Sequence, residues 1–391
     1  MTIPQVAVIC DYQEENWPSM DLVAGQLLDH LHQDYSHLLT ATRICPSLRR
    51  RLTRQGSEDR DQTPLRRTRF NADRVLNRFW DYPRLARSLR DKFDLFHVID
   101  HSYGQLLHEL PPERTIVTCH DLDTFQCLLD PAADPRSLLF RKMMARTLSG
   151  FRKAARVTCD SVATQNQLLV YDLVPAERTV VVPNGVHPSY SPQPNAEADS
   201  AASELIGDET ATQIDFLHVG STIPRKRIDV LLQIFSKVKK EFPGARLLRV
   251  GGAFTGEQLK LAETLKLRDS IVVLPHISSD VLAAVYRRAA LVLQPSEREG
   301  FGLPVVEALA CGTPVVASDL PVLREVAGNA AVYSPVADVA VWGEAVRRLV
   351  CERRDQPGPW MQRRQNGIAQ AAKFSWAEYA RKMVAVYSDL L

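Results

Sequence analysis

The chain has no Cys-x-x-Cys pair. Its seven cysteines (10, 45, 119, 127, 159, 311 and 351) are odd in number and scattered over 391 residues. That speaks against a disulfide framework or a zinc knuckle and for a reducing compartment. No stretch approaches roughly 18 consecutive apolar residues, so no membrane-spanning helix is expected. The opening MTIPQVAVICDYQ lacks a basic n-region, and its apolar run is too short for a secretory signal, so a cytoplasmic protein is expected. No Gly-x-Gly-x-x-Gly follows the first predicted strand, which disfavours a dinucleotide-dependent oxidoreductase. Internal repeats and low-complexity segments are absent as well. Net charge is only +2, so the total says little about partners. What remains, 45% hydrophobic and 24% charged residues over a length suited to two or three domains, is an ordinary globular chain with ample core.

Within it, short β-branched runs alternate with helical periodicity. Strands are expected at 5–10, 95–99, 114–119, 156–159, 179–183, 215–220, 245–251, 270–275, 291–295 and 313–318, and helices at 19–33, 228–241 and 280–289. Near-continuous apolar strands separated by helices imply parallel sheets covered on both faces. The segment 182–204 is rich in Pro, Asn, Ser and Ala and carries no periodicity. The expected organisation is therefore two doubly wound α/β domains, 1–190 and 205–372, joined by a linker at 191–204. A last helix, 373–391, places Trp376, Ala380, Met383, Val384 and Tyr387 on one stripe that needs an apolar partner, expected on the first domain.

Three strand-to-turn junctions bear on function. After strand 215–220, Gly220 and Ser221 lead to Arg225, Lys226 and Arg227 just ahead of a helix. Cations at a helix N-terminus make an anion site, because unpaired N–H groups and the helix dipole act together; a solvated basic turn is the plain alternative. After strand 245–251, Gly251, Gly252 and Gly256 permit close approach to a ligand or merely a tight turn. The third junction is EREGFGLPVVE. Glu299 falls in a loop and Glu307 in the first turn or so of a helix started by Pro304 and ended by Gly312. Gly300 and Gly302 open the backbone at that helix start. Two carboxylates flanking an anion site suit a ligand that joins phosphate to hydroxyl-rich groups, as a sugar nucleotide does.

The stretch SEREGFGLPVVEALACGTPVVASDLPVLREVAGNAAVY resembles the signature of retaining glycosyltransferases of family 4, and Glu299 and Glu307 fit its Glu-x7-Glu motif. The resemblance continues through VGS-x3-RK (219–226), PNGV (183–186), CHDLD (119–123) and FSW (374–376). It implies the GT-B fold, two Rossmann-like domains facing each other across a cleft. By that resemblance Glu307 binds the nucleotide ribose and Glu299 contacts the donor sugar. Arg225 and Lys226 hold the diphosphate, and His120 faces the sugar. Gly220, Ser221, Gly251, Gly300, Phe301, Gly302 and Leu303 complete the donor-binding set. The donor would be a UDP- or GDP-sugar, with a lean to GDP-mannose, and the acceptor a saccharide or a lipid-linked saccharide. No cofactor and no metal are expected, because cationic side chains can neutralise the leaving diphosphate. The chain departs from the pattern in having Gly220-Ser221 where many members have Gly-Arg, and Arg227 where Gly or Asn is usual. The first strand also runs into DYQEENWPSMD instead of a Gly-rich loop.

The triplets DRD (59–61) and DLD (121–123) resemble the metal-binding Asp-x-Asp of the other large glycosyltransferase fold, a weak three-residue pattern. Residues 43–92 hold fifteen Lys/Arg against six Asp/Glu. With no nucleic-acid motif present, that run is expected to be a solvated basic face or an anionic-membrane surface and not a nucleic-acid site. Other functions stay open at this point: an epimerase or phosphorylase of the same fold, or a non-catalytic nucleotide-sugar or membrane-binding protein.

Overall fold

The computed structural model describes residues 3–15, 17–53, 64–208, 210 and 212–391, with the side chains of 64–67 excepted. Its apolar runs form two six-stranded sheets in which every recorded pairing is parallel. The first sheet comprises β1 Gln5–Ile9, β2 Thr40–Ile44, β3 Leu95–Val98, β4 Thr115–Cys119, β5 Arg156–Cys159 and β6 Thr179–Val181, in the order β2-β1-β3-β4-β5-β6. The second comprises β7 Ile214–Val219, β8 Ala245–Val250, β9 Ile271–Val273, β10 Leu291–Gln294, β11 Val315–Ser318 and β12 Val332–Ser334, in the order β12-β11-β10-β7-β8-β9. Both sheets carry helices against their faces, the GT-B arrangement of two doubly wound α/β units. Two strands were not anticipated. β2 reads TATRI, with mostly part-exposed and exposed positions at a sheet edge, and β12 is only three residues long.

The chain divides into one unit of residues 1–184 with 376–391 and another of 185–375. Expected as a linker, 191–204 instead contains most of a helix, Ala196–Ile206. Asn195 caps it by accepting from the Ala198 amide, and Ala198, Ala202 and Ile206 form its buried stripe. Alanine and serine made this stretch look unstructured because they give a small apolar face in place of a bulky one.

The last helix, Trp376–Ser388, buries Trp376, Tyr379, Ala380, Met383, Val384, Val386 and Tyr387 in one core with Val6, Val8, Leu27 and Leu31. A polar pin fixes its register. The Tyr387 hydroxyl meets His97 Nδ1 on β3 at 2.7 Å, and His97 Nε2 meets Thr118 Oγ1 on β4 at 2.7 Å. Burial pushes the His97 pKa down to about 3, so the ring is neutral and bonded at both nitrogens.

Strand order also locates the crevices. In open α/β sheets, ligands gather outside the carboxyl ends of the strands where the winding direction reverses. That point lies between β7 and β10 in the second unit and between β1 and β3 in the first. Among the described residues no helix is long and apolar enough to cross a membrane.

Candidate active site

Arg225, Lys226 and Glu299 meet at the β7/β10 reversal. A short 3-10 turn, Pro224–Lys226, follows β7 and passes into the helix Ile228–Glu241 through Arg227. Arg227 has φ +48°, which accounts for the Gly or Asn usual at this place. Its two-point bond to Asp229 (3.0 and 2.9 Å) holds the left-handed conformation with an ordinary side chain.

The turn is tied to the loop after β10 by the Glu297 amide, which donates to the Arg225 carbonyl at 2.8 Å. Lys226 Nζ donates to both Glu299 oxygens, at 2.7 and 2.8 Å, and Arg225 Nη1 lies 3.6 Å from the same carboxylate. Gln294 Nε2 and Ser296 Oγ add bonds of 2.7 Å each to Glu299 Oε1. The Glu299 side chain is only 5% exposed. Burial alone would raise its pKa, but Lys226 and Arg225 outweigh burial and hold it at about 2. Glu299, expected at the sugar, is thus first of all the counter-ion of the cationic turn.

Glu307 has a different environment. Its helix, Leu303–Ala310, is entered through Gly302 at φ +94°, where an added Cβ would stand 2.6 Å from Leu323 Cδ2, so only glycine fits without displacement. Pro304 lies in the first turn and Glu307 in the second. Tyr286 donates to Glu307 Oε2 at 2.9 Å, and Tyr190 also bonds the carboxyl. Burial pushes its pKa up to about 7 against the opposing effect of the two hydroxyls. The fold therefore favours the protonated carboxyl. In the ligand-free protein, stability should fall as pH rises from the ordinary glutamate value of 4.5 through 7. Glu307→Gln should flatten that slope in thermal melts taken across the window; an unchanged slope would place the titration elsewhere. A ligand whose hydroxyls donate to the ionised form should bind more tightly as pH rises through 7 and release a proton on binding.

The remaining expected donor residues follow the same strand ends. Gly220 and Gly251 pack so closely that a Cβ on Gly251 would meet the Gly220 carbonyl at 2.1 Å. Ser221 is exposed beside them. Gly300, Phe301 and Gly302 follow Glu299 in the loop and Leu303 opens the helix; the buried Phe301 ring packs edge-on against Phe374 at 5.5 Å. Phe301 therefore has a packing role that the motif did not reveal. Gln294, Ser296, Tyr190 and Tyr286 were missed. Gln294 could have been found from sequence, since a polar side chain ending the buried strand LVLQ needs a partner.

In the first unit His120 follows β4. Its Nε2 meets the Ile99 carbonyl at 2.8 Å, and Nδ1 lies 3.4 Å from Asp160 Oδ2. Burial works against the charged ring, but Asp160 outweighs it and raises the pKa. With Nε2–H given to a carbonyl and Nδ1–H to a carboxylate, His120 is fitted to carry positive charge and not to shuttle a proton. At the β1/β3 reversal stand Asp11 and Asp100, both buried. Burial and the neighbouring Asp100 raise the Asp11 pKa well above the carboxylate range, while His101 and Ser102 keep Asp100 ionised despite its burial.

The DRD triplet lies outside the described residues, as does part of the basic run. Among the described residues no three His, Cys, Asp or Glu side chains gather in a metal-binding arrangement. Much of the described basic charge is used internally. Arg51 pairs with Asp81, Arg74 and Arg78 with Glu15, and Arg87 with Glu109. Arg84 stacks 3.4 Å from the centre of the Trp80 ring, and that ring is 58% exposed.

Residues 24–190 match the family described as Glycosyltransferase Family 4, and residues 206–371 match Glycosyl transferases group 1. The serotype-specific mannosyltransferase WbdA of Escherichia coli is 26% identical over 289 residues, covering 72% of this chain but only 34% of that protein. The chain thus spans about a third of the length of that relative. The O-antigen chain mannosyltransferase B of Escherichia coli is 28% identical over 312 residues, covering 78% of this chain and 77% of that one. Among solved structures, HepE of Anabaena in complex with UDP-glucose superimposes with a TM-score of 0.72 at 15% identity, covering 99% of this chain and 100% of that chain.

Proposed function

This chain belongs to the glycosyltransferases of family 4, and from that premise we propose that it moves a hexose from a nucleoside-diphosphate sugar to an acceptor hydroxyl, with retained anomeric configuration and without a metal ion. The observation that carries the reading is the Lys226–Glu299 pair at the β7/β10 reversal, with Glu307 in the following helix. The ribose hydroxyls would donate to Glu307, and the diphosphate would lie against Arg225 and Lys226. As the bond from sugar C1 to the phosphate oxygen breaks, negative charge grows on the diphosphate and positive charge on the sugar ring. Arg225 and Lys226 stabilise the first, and the Glu299 carboxylate the second. The acceptor oxygen bonds C1 on the face the diphosphate leaves, and its proton passes to the departing phosphate oxygen. His120 is proposed as a fixed positive charge on the acceptor-side unit.

The lean is to GDP-mannose, supported by the two mannosyltransferase relatives. A saccharide or lipid-linked acceptor follows from the same reading, with a role in cell-surface polysaccharide or glycolipid synthesis. A cytoplasmic location and contact with an anionic membrane through the basic run are part of it too; the exposed Trp80 with Arg84 against it suits a headgroup boundary. A thermal-shift screen of UDP- and GDP-sugars in EDTA tests the core of the proposal. One donor series should raise the melting temperature with EDTA present. No shift with any donor would remove the reading, and a shift abolished by EDTA would bring back a metal.

A further inference from the structure

Arg249 lies in β8 among apolar neighbours, and none of its surface reaches solvent. A buried guanidinium ordinarily meets a carboxylate, because an uncompensated charge in a low-dielectric interior is costly. Among the described residues Arg249 has no ion pair. Its Nη1 donates to the Gly252 carbonyl at 2.8 Å and its Nη2 to the Gly220 carbonyl at 3.0 Å, while Nε has no acceptor. Its partner in register on β7 is His218, also fully buried, with neither ring nitrogen bonded among the described residues. Burial, with Arg249 and Lys226 close by, brings the His218 pKa down to about 3. The ring is neutral and offers the arginine no charge. At the ends of β7 and β8, Arg225 and Lys226 thus share one carboxylate, Glu299, while Arg249 has no carboxylate partner among the described residues.

The two carbonyls that Arg249 holds have a geometric consequence. In a trans peptide the C=O and the next N–H point in opposite directions. Drawing the Gly220 and Gly252 carbonyls down onto Arg249 turns the amides of Ser221 and Ala253 the other way, and neither amide has a partner among the described residues. The contact of Gly251 with the Gly220 carbonyl keeps the two loops together. Two free amides above an unneutralised cation make an anion cradle.

We propose that Arg249 is a positioning residue for the diphosphate of the nucleotide, fixing the Gly220 and Gly252 loops so that the Ser221 and Ala253 amides face the phosphates, and adding from beneath the charge that Ser221 does not supply. It rests on the donor-site reading above. Calorimetry with UDP and GDP on the wild type and on Arg249→Lys, Arg249→Gln and Arg249→Met tests it. The methionine and glutamine variants should bind the nucleoside diphosphate about 10–100-fold more weakly. The lysine variant, which keeps the charge and one bond at a time, should recover most of that loss. Affinity for the nucleoside monophosphate should move less. Arg249→Met should melt no lower than the wild type, since it removes an uncompensated buried charge. A glutamine variant that binds like the wild type would reduce Arg249 to a neutral clamp and overturn the proposal, as would a lysine variant no better than methionine. If Arg249→Met does not fold, the comparison of lysine with glutamine decides. A wild type that binds neither UDP nor GDP would remove the donor-site reading itself, a different failure.

Discussion

Glu299→Gln should lower kcat by about 10²–10³ and also destabilise the free protein. The catalytic part follows from charge: a fixed carboxylate beside a sugar that becomes positive in the transition state is the kind of preorganised group whose loss costs about 3–4 kcal/mol. The stability part follows from the donors around it. Lys226, Gln294 and Ser296 all direct hydrogens at the Glu299 oxygens. An amide has one acceptor end, and because Lys226 reaches both oxygens, its NH2 would face the ammonium in either orientation, and in one of them the Gln294 and Ser296 donors as well. Lys226 would also be left buried without a counter-charge, which costs about 3–5 kcal/mol when a buried pair loses one member. The pH dependence has a definite sign. A carboxylate depressed from 4.5 to about 2 contributes stability that is present above pH 4.5 and lost as pH falls toward 2. At about 1.4 kcal/mol per unit, that is roughly 3 kcal/mol, and the glutamine variant should not show it. Freed of Glu299, Lys226 should hold the bare nucleoside diphosphate at least as tightly as before. A variant with normal kcat, or with weakened nucleotide affinity, would contradict this account of Glu299.

Arg225→Ala combined with Lys226→Ala should have a comparably large effect, of about 10³ in kcat/KM. Negative charge on the leaving diphosphate is greater in the transition state than in the bound donor, so kcat should fall along with affinity. The free protein should change as well. Without either cation, the main opposition to the burial that raises the Glu299 pKa is gone and the Ser296 hydrogen bond remains, so the acid-linked stability between pH 4.5 and 2 should shrink with the charge pair. A double variant with raised KM and intact kcat would confine these cations to ground-state binding.

The parts of this protein legible in its sequence share one property: the chemistry that marks them is local. Buried parallel strands announce themselves as apolar runs, and ten of twelve were read that way. β2 hides its single buried alanine in TATRI, and β12 is too short to form a pattern. The helix Ala196–Ile206 was lost because its buried face is mostly alanine. Glu299 and Glu307 were visible because glycines and a proline frame them. Their different ionisation was not, since it depends on what the fold packs around each: Lys226 and Arg225 hold Glu299 ionised, while burial with no cation beside it raises Glu307 against the hydroxyls of Tyr190 and Tyr286. His120 was visible as a histidine at a strand end, but Asp160, which raises its pKa, follows the neighbouring strand β5. Arg249 had a signal in the sequence, a full charge inside the apolar strand ARLLRV, whose meaning required the two carbonyls it holds.

The central claim is that the second unit binds a nucleoside diphosphate with its ribose at Glu307, and calorimetric titration of Glu307→Ala with the nucleoside diphosphate that stabilises the wild type tests it most directly. Two ribose hydroxyls donating to a buried carboxylate are worth about 1.5–3 kcal/mol. The alanine variant should therefore bind about 10–150-fold more weakly, and the proton release expected of the wild type near pH 7 should be absent. Unchanged affinity with unchanged proton release would contradict the assignment and, with it, the placement of the nucleotide.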